Sequence, residues 1–298
     1  MGLIAKLWLP DFVGDVKVET FAIGDVHGQA DLLEGVLGAI QRTERVEGHA
    51  RRLVQLGDLI DRGPESLRAI DLMMAAAARL GHEVVCLMGN HEMMLLGAIV
   101  EADVPEARRW TSLDLWYRNG GMSVIEEFVE AGYDFSRKVD FEKVREALGE
   151  DRARFLEGLL PHYRGAGENV LYVHAGVHPK VPLEGFLGQP WHALRDDEDF
   201  EEEWHWAWVR EPFLYHRPGR HGLEGHQGNF VVHGHTPQDA IQMPYVDQVL
   251  SDRLNLDGYA FMRRKLRYAR IFGREVEVHE LSEYDLEAEE PVTAEATG

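Results

Sequence analysis

Three times in the first third of the chain, an apolar run stops at a glycine followed by a side chain able to bind a metal ion. "FAI" gives way to Gly24-Asp25-Val26-His27-Gly28, "RLVQL" to "GDLIDRG" at 57–63, and "EVVCLM" to "GNHE" at 89–92. Asp58 follows Asp25 by 33 residues, and Asn90 follows Asp58 by 32, close to the ~30 residues of one βαβ unit. The stretches between have helical period. Leu32, Leu33, Val36, Leu37 and Ile40 share one face, as do Leu67, Ile70, Met73, Met74 and Ala77. Pro64 suits a first helical turn and Gly81 a stop. Three parallel strands would then each present polar residues at their C-terminal ends, where open α/β sheets bind ligands.

From about 93 to 160 the pattern is helical, with Gly120–Gly121 as a break and no strong strand signal. We read this stretch as a helical insertion. Strands return in "NVLYVHAG" (169–176), "NFVVHGHTP" (229–237), "DRLNLDG" (252–258), "KLRYARIF" (265–272) and "REVEVHEL" (274–281). The last three read as successive antiparallel strands, which predicts a mixed sheet. Residues 1–281 read as a single α/β domain, and the acidic, turn-rich 282–298 as a loose tail.

Composition sets limits on partners. The chain has 298 residues, 45% hydrophobic and 28% charged, as expected of an ordinary soluble globular protein. A formal net charge of −21 argues against nucleic-acid polymers and anionic membranes as partners. It leaves room for an anionic substrate, because bound cations reverse the local field. Cys86 is the single cysteine and reads as a small hydrophobe in a cytoplasmic protein. "MGLIAKLWLPDF" is too short for a signal peptide, and no apolar stretch approaches the roughly 18 residues of a membrane span.

Each motif alone has a plain structural reading. Asp25 suits a helix cap, "GDLIDRG" a strand–turn–helix junction, and Asn90 an N-cap. Their order and spacing change the balance, and His174 in "YVHAG" and His235 in "VVHGHTP" each stand just past a further apolar strand. Asp, His and Asn at five strand ends suit two divalent first-row ions. The acidic run at 196–203 lacks the spacing of a calcium loop and reads as solvated. Trp204, Trp206 and Trp208 read as packing against the sheet, and His216, His221 and His226 as loop residues.

The ordered set "GDVHG … GDLIDRG … GNHE … HAG … HGHTP" resembles the phosphoprotein phosphatase family of calcineurin-like metallophosphoesterases, most closely its bacterial and phage Ser/Thr phosphatase branch. The likeness spans residues 24–237 and extends weakly through "LNLDGYA" to about 270. It implies a metallophosphoesterase-type mixed β-sandwich flanked by helices. It also implies two metal ions, Mn²⁺ by resemblance with Fe or Zn as alternatives. Asp25 and His27 would bind the first ion, Asp58 would bridge, and Asn90, His174 and His235 would complete the second. A water shared by the ions, its pKa lowered toward ~7, would attack phosphorus in line. His91 takes the general-acid position with Asp61 as its orienting carboxylate. Arg62 takes a phosphate-binding position, and Asn90 is assigned to phosphate contact as well as to metal. A second phosphate-binding arginine falls at Arg210, with Arg217 and Arg220 nearby. His233 reads as a strand-end residue rather than a ligand.

The expected substrate is phosphoserine or phosphothreonine in a protein or peptide. The nearest rival is symmetrical diadenosine-tetraphosphate hydrolysis. That family tends to carry "ARG" where this chain has Asp61-Arg62-Gly63, and "GNHD" where it has Glu92. A rival of another class is a non-catalytic phospho-ligand binding protein on the same scaffold, which intact motifs disfavour.

Overall fold

Alternation along the strands builds two sheets with one shared interior. The computed structural model describes residues 1–100, 106–136, 140–193, 200–216, 226–237 and 252–289. Its larger sheet holds β1 (Gly2–Trp8), β2 (Val16–Ile23), β3 (Arg51–Gln55), β4 (Glu83–Cys86), β9 (Lys265–Gly273) and β10 (Glu275–Ser282), in the order β1-β10-β9-β2-β3-β4. The smaller holds β5 (His162–Arg164), β6 (Val170–Val173), β7 (Phe230–His233) and β8 (Arg253–Asn255), in that order. Ala22, Val54, Val170, Tyr172, Phe230 and Val232 fill the layer between the sheets. Their strand neighbours Phe21, Ile23, Leu53, Leu171, Val173 and Val231 face the helices on the other side. A period of two thus buries both faces of each central strand.

The helices α1 (Ala30–Arg42) and α2 (Ser66–Leu80) cross over between the parallel strands β2, β3 and β4. Gly81 ends α2 in a left-handed turn with φ 63°, the conformation glycine supplies at least cost. Pro64 lies two residues before the helix rather than in its first turn, because Ser66 opens it. Nor does either proposed cap act as one. Gln29 stands at the N-cap of α1 and Gly89 at that of α3 (Asn90–Ile99), which leaves the Asp25 and Asn90 side chains available for other partners.

The segment read as an insertion contains the end of α3, then α4 (Glu106–Trp116), a π-helical turn Tyr117–Gly121, α5 (Met122–Glu130), α6 (Phe141–Leu148) and α7 (Glu150–Glu157). Every residue of α3 is buried, so this layer is rooted in the main core. Two strands, β1 and β5, escaped the sequence reading. The expectation of three successive antiparallel strands near the C-terminus is corrected. β9 and β10 are antiparallel, but β8 lies in the smaller sheet, parallel to β7. The connection from β8 to β9 is no tight turn. It holds a short helix, Ala260–Arg263, between left-handed Tyr259 and Arg264. The tail is likewise more ordered than its composition predicts: Glu283–Glu289 is helical, and Leu286 packs against the core. Residues 196–199, Arg217, Arg220, His221 and 290–298 lie outside the described residues. Among the described residues, no helix is long and apolar enough to cross a membrane.

Candidate metal centre and active site

The loops that leave the strands turn through backbone conformations few side chains tolerate. His27, Asp58, Asp61, Arg62 and His235 have φ of 47°, 54°, 72°, 69° and 69°. They are five of the eight non-glycine residues with positive φ among those described. Each such residue costs on the order of 1–3 kcal/mol and persists only where its surroundings impose it. The loops impose it on one another. Val26 and His27 donate their N–H groups to the Asp58 carbonyl at 3.0 and 2.9 Å. The Glu92 carboxylate accepts from the N–H groups of Asp58 (2.9 Å), Leu59 (2.8 Å), Ile60 (3.3 Å) and Gly89 (2.9 Å). One buried side chain therefore ties the second and third motif loops together. Glycine at 89 and 234 is required by crowding, because a Cβ there would collide with Asp58 Oδ1 and Asp25 Oδ1 respectively.

Three histidines are oriented alike. His27 and His174 each turn Nδ1 onto a backbone carbonyl, Ile60 at 3.1 Å and Leu56 at 2.9 Å. His235 turns Nε2 onto the Trp208 carbonyl at 3.2 Å. A ring nitrogen that donates outward leaves the other with its lone pair facing in, the arrangement typical of metal-binding histidines. Those inward nitrogens face oxygens of Asp58 and Asn90, and His27 Nε2 faces the Arg62 guanidinium as well. His27 Nε2 lies 3.6 Å from Asp58 Oδ2. His174 Nε2 lies 3.3 Å from Asp58 Oδ1 and 3.1 Å from Asn90 Oδ1, and His235 Nδ1 lies 3.0 Å from Asn90 Oδ1. Carboxylate and amide oxygens and ring nitrogens from separate loops converge in one buried place, so the donor set fits divalent ions. Two groups have ligand atoms within 4.8 Å of one another: His27, Asp58 and His91, and Asp58, His174 and His235. Asp58 is shared by both.

Electrostatics carries the same signature. Burial opposes charge on His174, but Asp58 beside it outweighs burial and lifts its pKa to about 9. Burial also pushes Asp25 well above the usual carboxylate range, and Asp257 nearby raises it further. Asp25 Oδ2 accepts the His235 backbone N–H at 2.9 Å, while its buried Oδ1 has no hydrogen-bond partner among the described residues. Asp25 thus stands beside the two close groups, with a free carboxylate oxygen buried among the described residues.

His91 forms a separate pair. Its Nδ1 lies 2.6 Å from Asp61 Oδ2, and its buried Nε2 has no hydrogen-bond partner among the described residues, standing 3.9 Å from Asp58 Oδ2. The other Asp61 oxygen accepts from the Trp116 indole at 2.8 Å. Arg62 Nη1 donates to His27 Nε2 at 3.0 Å, and its guanidinium lies 4.7 Å from the Phe261 ring centre. A cleft of about 620 Å³ opens above, lined by Arg62, Arg118, Arg210, His235 and the aromatic residues Tyr259 and Phe261. Glu211 is the single acid among the described lining residues. The mouth is thus cationic in a chain of net charge −21.

All ten sequence-nominated residues converge here. His233 does not: it ends β7 with its ring 4.9 Å from Phe213. Trp206 and Trp208 are buried as expected and Trp204 is exposed, stacked 4.4 Å from His178. His226 is no free loop residue; it is buried and lies 2.9 Å from Asp252. The sequence reading missed the structural part of Glu92, whose signal is an acid three residues beyond the N-cap glycine. It also missed Trp116 and Asp257, which no local pattern marks.

A model of the calcineurin-like phosphoesterase family matches residues 20–261. The symmetrical bis(5'-nucleosyl)-tetraphosphatase of Pseudomonas putida (strain W619) is 27% identical over 182 residues, covering 60% of this chain and 50% of that protein. Its counterpart in Pseudomonas fluorescens (strain Pf-5) is 26% identical over 185 residues, covering 61% and 51%. The chain spans about half the length of the curated relatives it matches. Among solved structures, a cold-active protein-tyrosine phosphatase of a psychrophilic Shewanella aligns with TM-score 0.52 and 18% identity over 86% of this chain and 78% of its own. A protein serine/threonine phosphatase of Saccharomyces cerevisiae aligns with TM-score 0.51 and 13% identity over 89% and 80%. These two likenesses establish the shared fold. With the family match covering most of the chain and a buried His/Asp cluster at its strand ends, the protein belongs to the calcineurin-like phosphoesterase family.

Proposed function

We propose that the protein is a dinuclear phosphomonoesterase acting on phosphoserine or phosphothreonine in proteins or peptides, within a single domain spanning 1–281. Asp25 and His27 would hold one ion, Asp58 both, and Asn90, His174 and His235 the other, with Mn²⁺ as the activating metal. Such ions, when bound, supply a nucleophile at neutral pH and neutralise phosphate charge. The chain's own groups supply the rest. Arg62 and Arg210, both lining the cleft, bind the non-bridging oxygens with planar forks suited to phosphate. As the P–O bond to the seryl oxygen breaks, the electron pair leaves on that oxygen and takes the proton from His91 Nε2. His91 keeps its other proton on Asp61, which stabilises the imidazolium until transfer.

The observation that carries the serine/threonine reading is the His91–Asp61 pair at 2.6 Å with Nε2 unpartnered among the described residues. An alkoxide is a poor leaving group and needs a proton donor. The nucleoside diphosphate released from a dinucleotide tetraphosphate departs with little help. The dinucleotide reading is supported in turn by the Pseudomonas relatives, named as symmetrical tetraphosphatases. Metal-stripped protein reconstituted with Mn²⁺ and assayed on a phosphoserine peptide beside diadenosine tetraphosphate decides between them. The expected outcome is a higher kcat/KM for the peptide. Faster dinucleotide cleavage would move the function to nucleotide turnover and keep the site.

A further inference from the structure

The helical layer at 106–130 holds the turn that carries Asp61 and Arg62. The Trp116 indole N–H donates to Asp61 Oδ1 at 2.8 Å. Just beyond it the chain kinks at Gly120, whose backbone leaves the helical conformation between α4 and α5. From it the Gly120 carbonyl accepts the Arg62 backbone N–H at 3.1 Å, and the Asn119 carbonyl accepts Arg62 Nε at 3.3 Å. On α5, Glu127 accepts the N–H groups of Ser66 (2.6 Å) and Leu67 (3.0 Å), and Ser66 Oγ in turn accepts the Asp61 N–H at 3.0 Å. The layer thus grips both ends of a turn whose two central residues have φ of 72° and 69°, a conformation that needs outside support.

Two glycines make the close approach possible. Gly120 has φ 116°, and a Cβ on it would fall 2.6 Å from Arg62 Cγ. A Cβ on Gly121 would run into the Trp116 indole. The segment is therefore shaped around the turn it holds.

We propose that Trp116 is a positioning residue for proton delivery: by fixing one Asp61 oxygen it aims the other at His91 Nδ1, and so aims His91 Nε2 at the leaving oxygen. The kink at Gly120 aligns Arg62 with the same phosphate. The inference rests on the acid role of His91 proposed above, and the test separates the two. Wild type, H91N and W116F, each loaded with Mn²⁺, are assayed on a phosphoserine peptide and on p-nitrophenyl phosphate, whose phenolate departs with little protonation. Bound metal is counted for each variant.

W116F keeps the ring and removes the N–H. Its kcat should fall about tenfold or more on the peptide, stay within about threefold on the aryl ester, and leave metal content unchanged. G121A, which keeps every hydrogen-bonding atom and displaces the indole, should show the same selectivity and stands in where W116F does not fold. An equal loss on both substrates, or none, in a folded variant overturns the proposal for Trp116. Loss of selectivity in H91N itself overturns the acid role beneath it. Loss of metal in H91N makes His91 a ligand, a role for which a carboxylate-braced histidine is also suited.

Discussion

Two buried histidine–aspartate pairs, His91–Asp61 and His226–Asp252, differ in what surrounds the carboxylate. In the first, His91 and Asp61 meet at 2.6 Å, and the second carboxylate oxygen takes only a neutral indole N–H. In the second, His226 Nε2 lies 2.9 Å from Asp252 Oδ2, and Arg253 adds donors at 3.2 Å to Oδ1 and 3.0 Å to Oδ2. Arg253 is itself anchored on the backbone carbonyls of Phe213 and His216. Burial raises Asp61 well above the ordinary range, opposed by the Trp116 hydrogen bond. Burial acts on Asp252 too, but His226 and Arg253 overcome it and hold that carboxylate far below the ordinary range. The fixed cation locks the charge of one pair. Asp61 has the Arg62 charge nearby, which opposes the effect of burial without reversing it, and an arriving phosphate dianion would favour the imidazolium of His91. Neighbours, rather than the pair itself, separate a mobile proton from a structural brace.

The sharpest way to break this contrast is to neutralise each aspartate. D61N should lower kcat on a phosphoserine peptide by about 10²- to 10⁴-fold, the range of a lost or misdirected general acid, with little change in urea midpoint. D252N should leave the kinetics intact and destabilise the fold by about 3–5 kcal/mol, because Arg253 would remain buried without its counter-charge. A selective slowing of alkyl phosphate hydrolysis in D252N would erase the distinction.

A smaller effect is expected at Glu92, which belongs to neither pair but fixes the loops beneath the first. Its four backbone contacts need two oxygens that accept, and Gln offers one. E92Q should weaken Mn²⁺ binding by about 10- to 100-fold, the usual cost of removing a group that orients ligands, read by titration against a metal buffer. Affinity unchanged in a folded E92Q would mean that the loop conformations at Asp58 and Gly89 are held by other contacts.

The same contrast explains what the sequence could reveal. The residues gathered at the strand ends lie in short, ordered motifs, so the meeting of Asp25, His27, Asp58, Asn90, His174 and His235 was legible from spacing and from family resemblance. So were the three parallel strands, whose apolar runs precede each motif. Residues that act through other residues leave no such mark. Trp116 reaches Asp61 across 55 residues, and its partnership depends on how the helical layer docks. His226 and Asp252 lie on different strand approaches and meet only once β7 and β8 pair. β8 itself was misassigned because "RLN" is too short to declare its neighbour, and parallel pairing is set by a distant crossover rather than a local turn. The ordering of Glu283–Glu289 was hidden by its acidity, since only Leu286 anchors it to the core.

The finest test follows the brace through acid. The folded pKa of Asp252 lies below its unfolded value, so the folded state binds fewer protons there than the unfolded chain. Its contribution is complete above the ordinary carboxylate range near pH 4 and is lost as pH falls below it. Burial likewise lowers His226, whose neutral form is lost from the unfolded chain first as pH drops below about 6.5. Asp252 opposes that lowering, so D252N loses more stability through His226 as pH falls and the gap widens there, whereas the titration of the carboxylate itself narrows it. The stability gap between wild type and D252N, measured by urea denaturation from pH 7 to pH 3, should therefore hold or widen down to about pH 4 and narrow below it. A gap of constant width would mean that Arg253, not the titrating carboxylate, is the element that holds this corner of the fold.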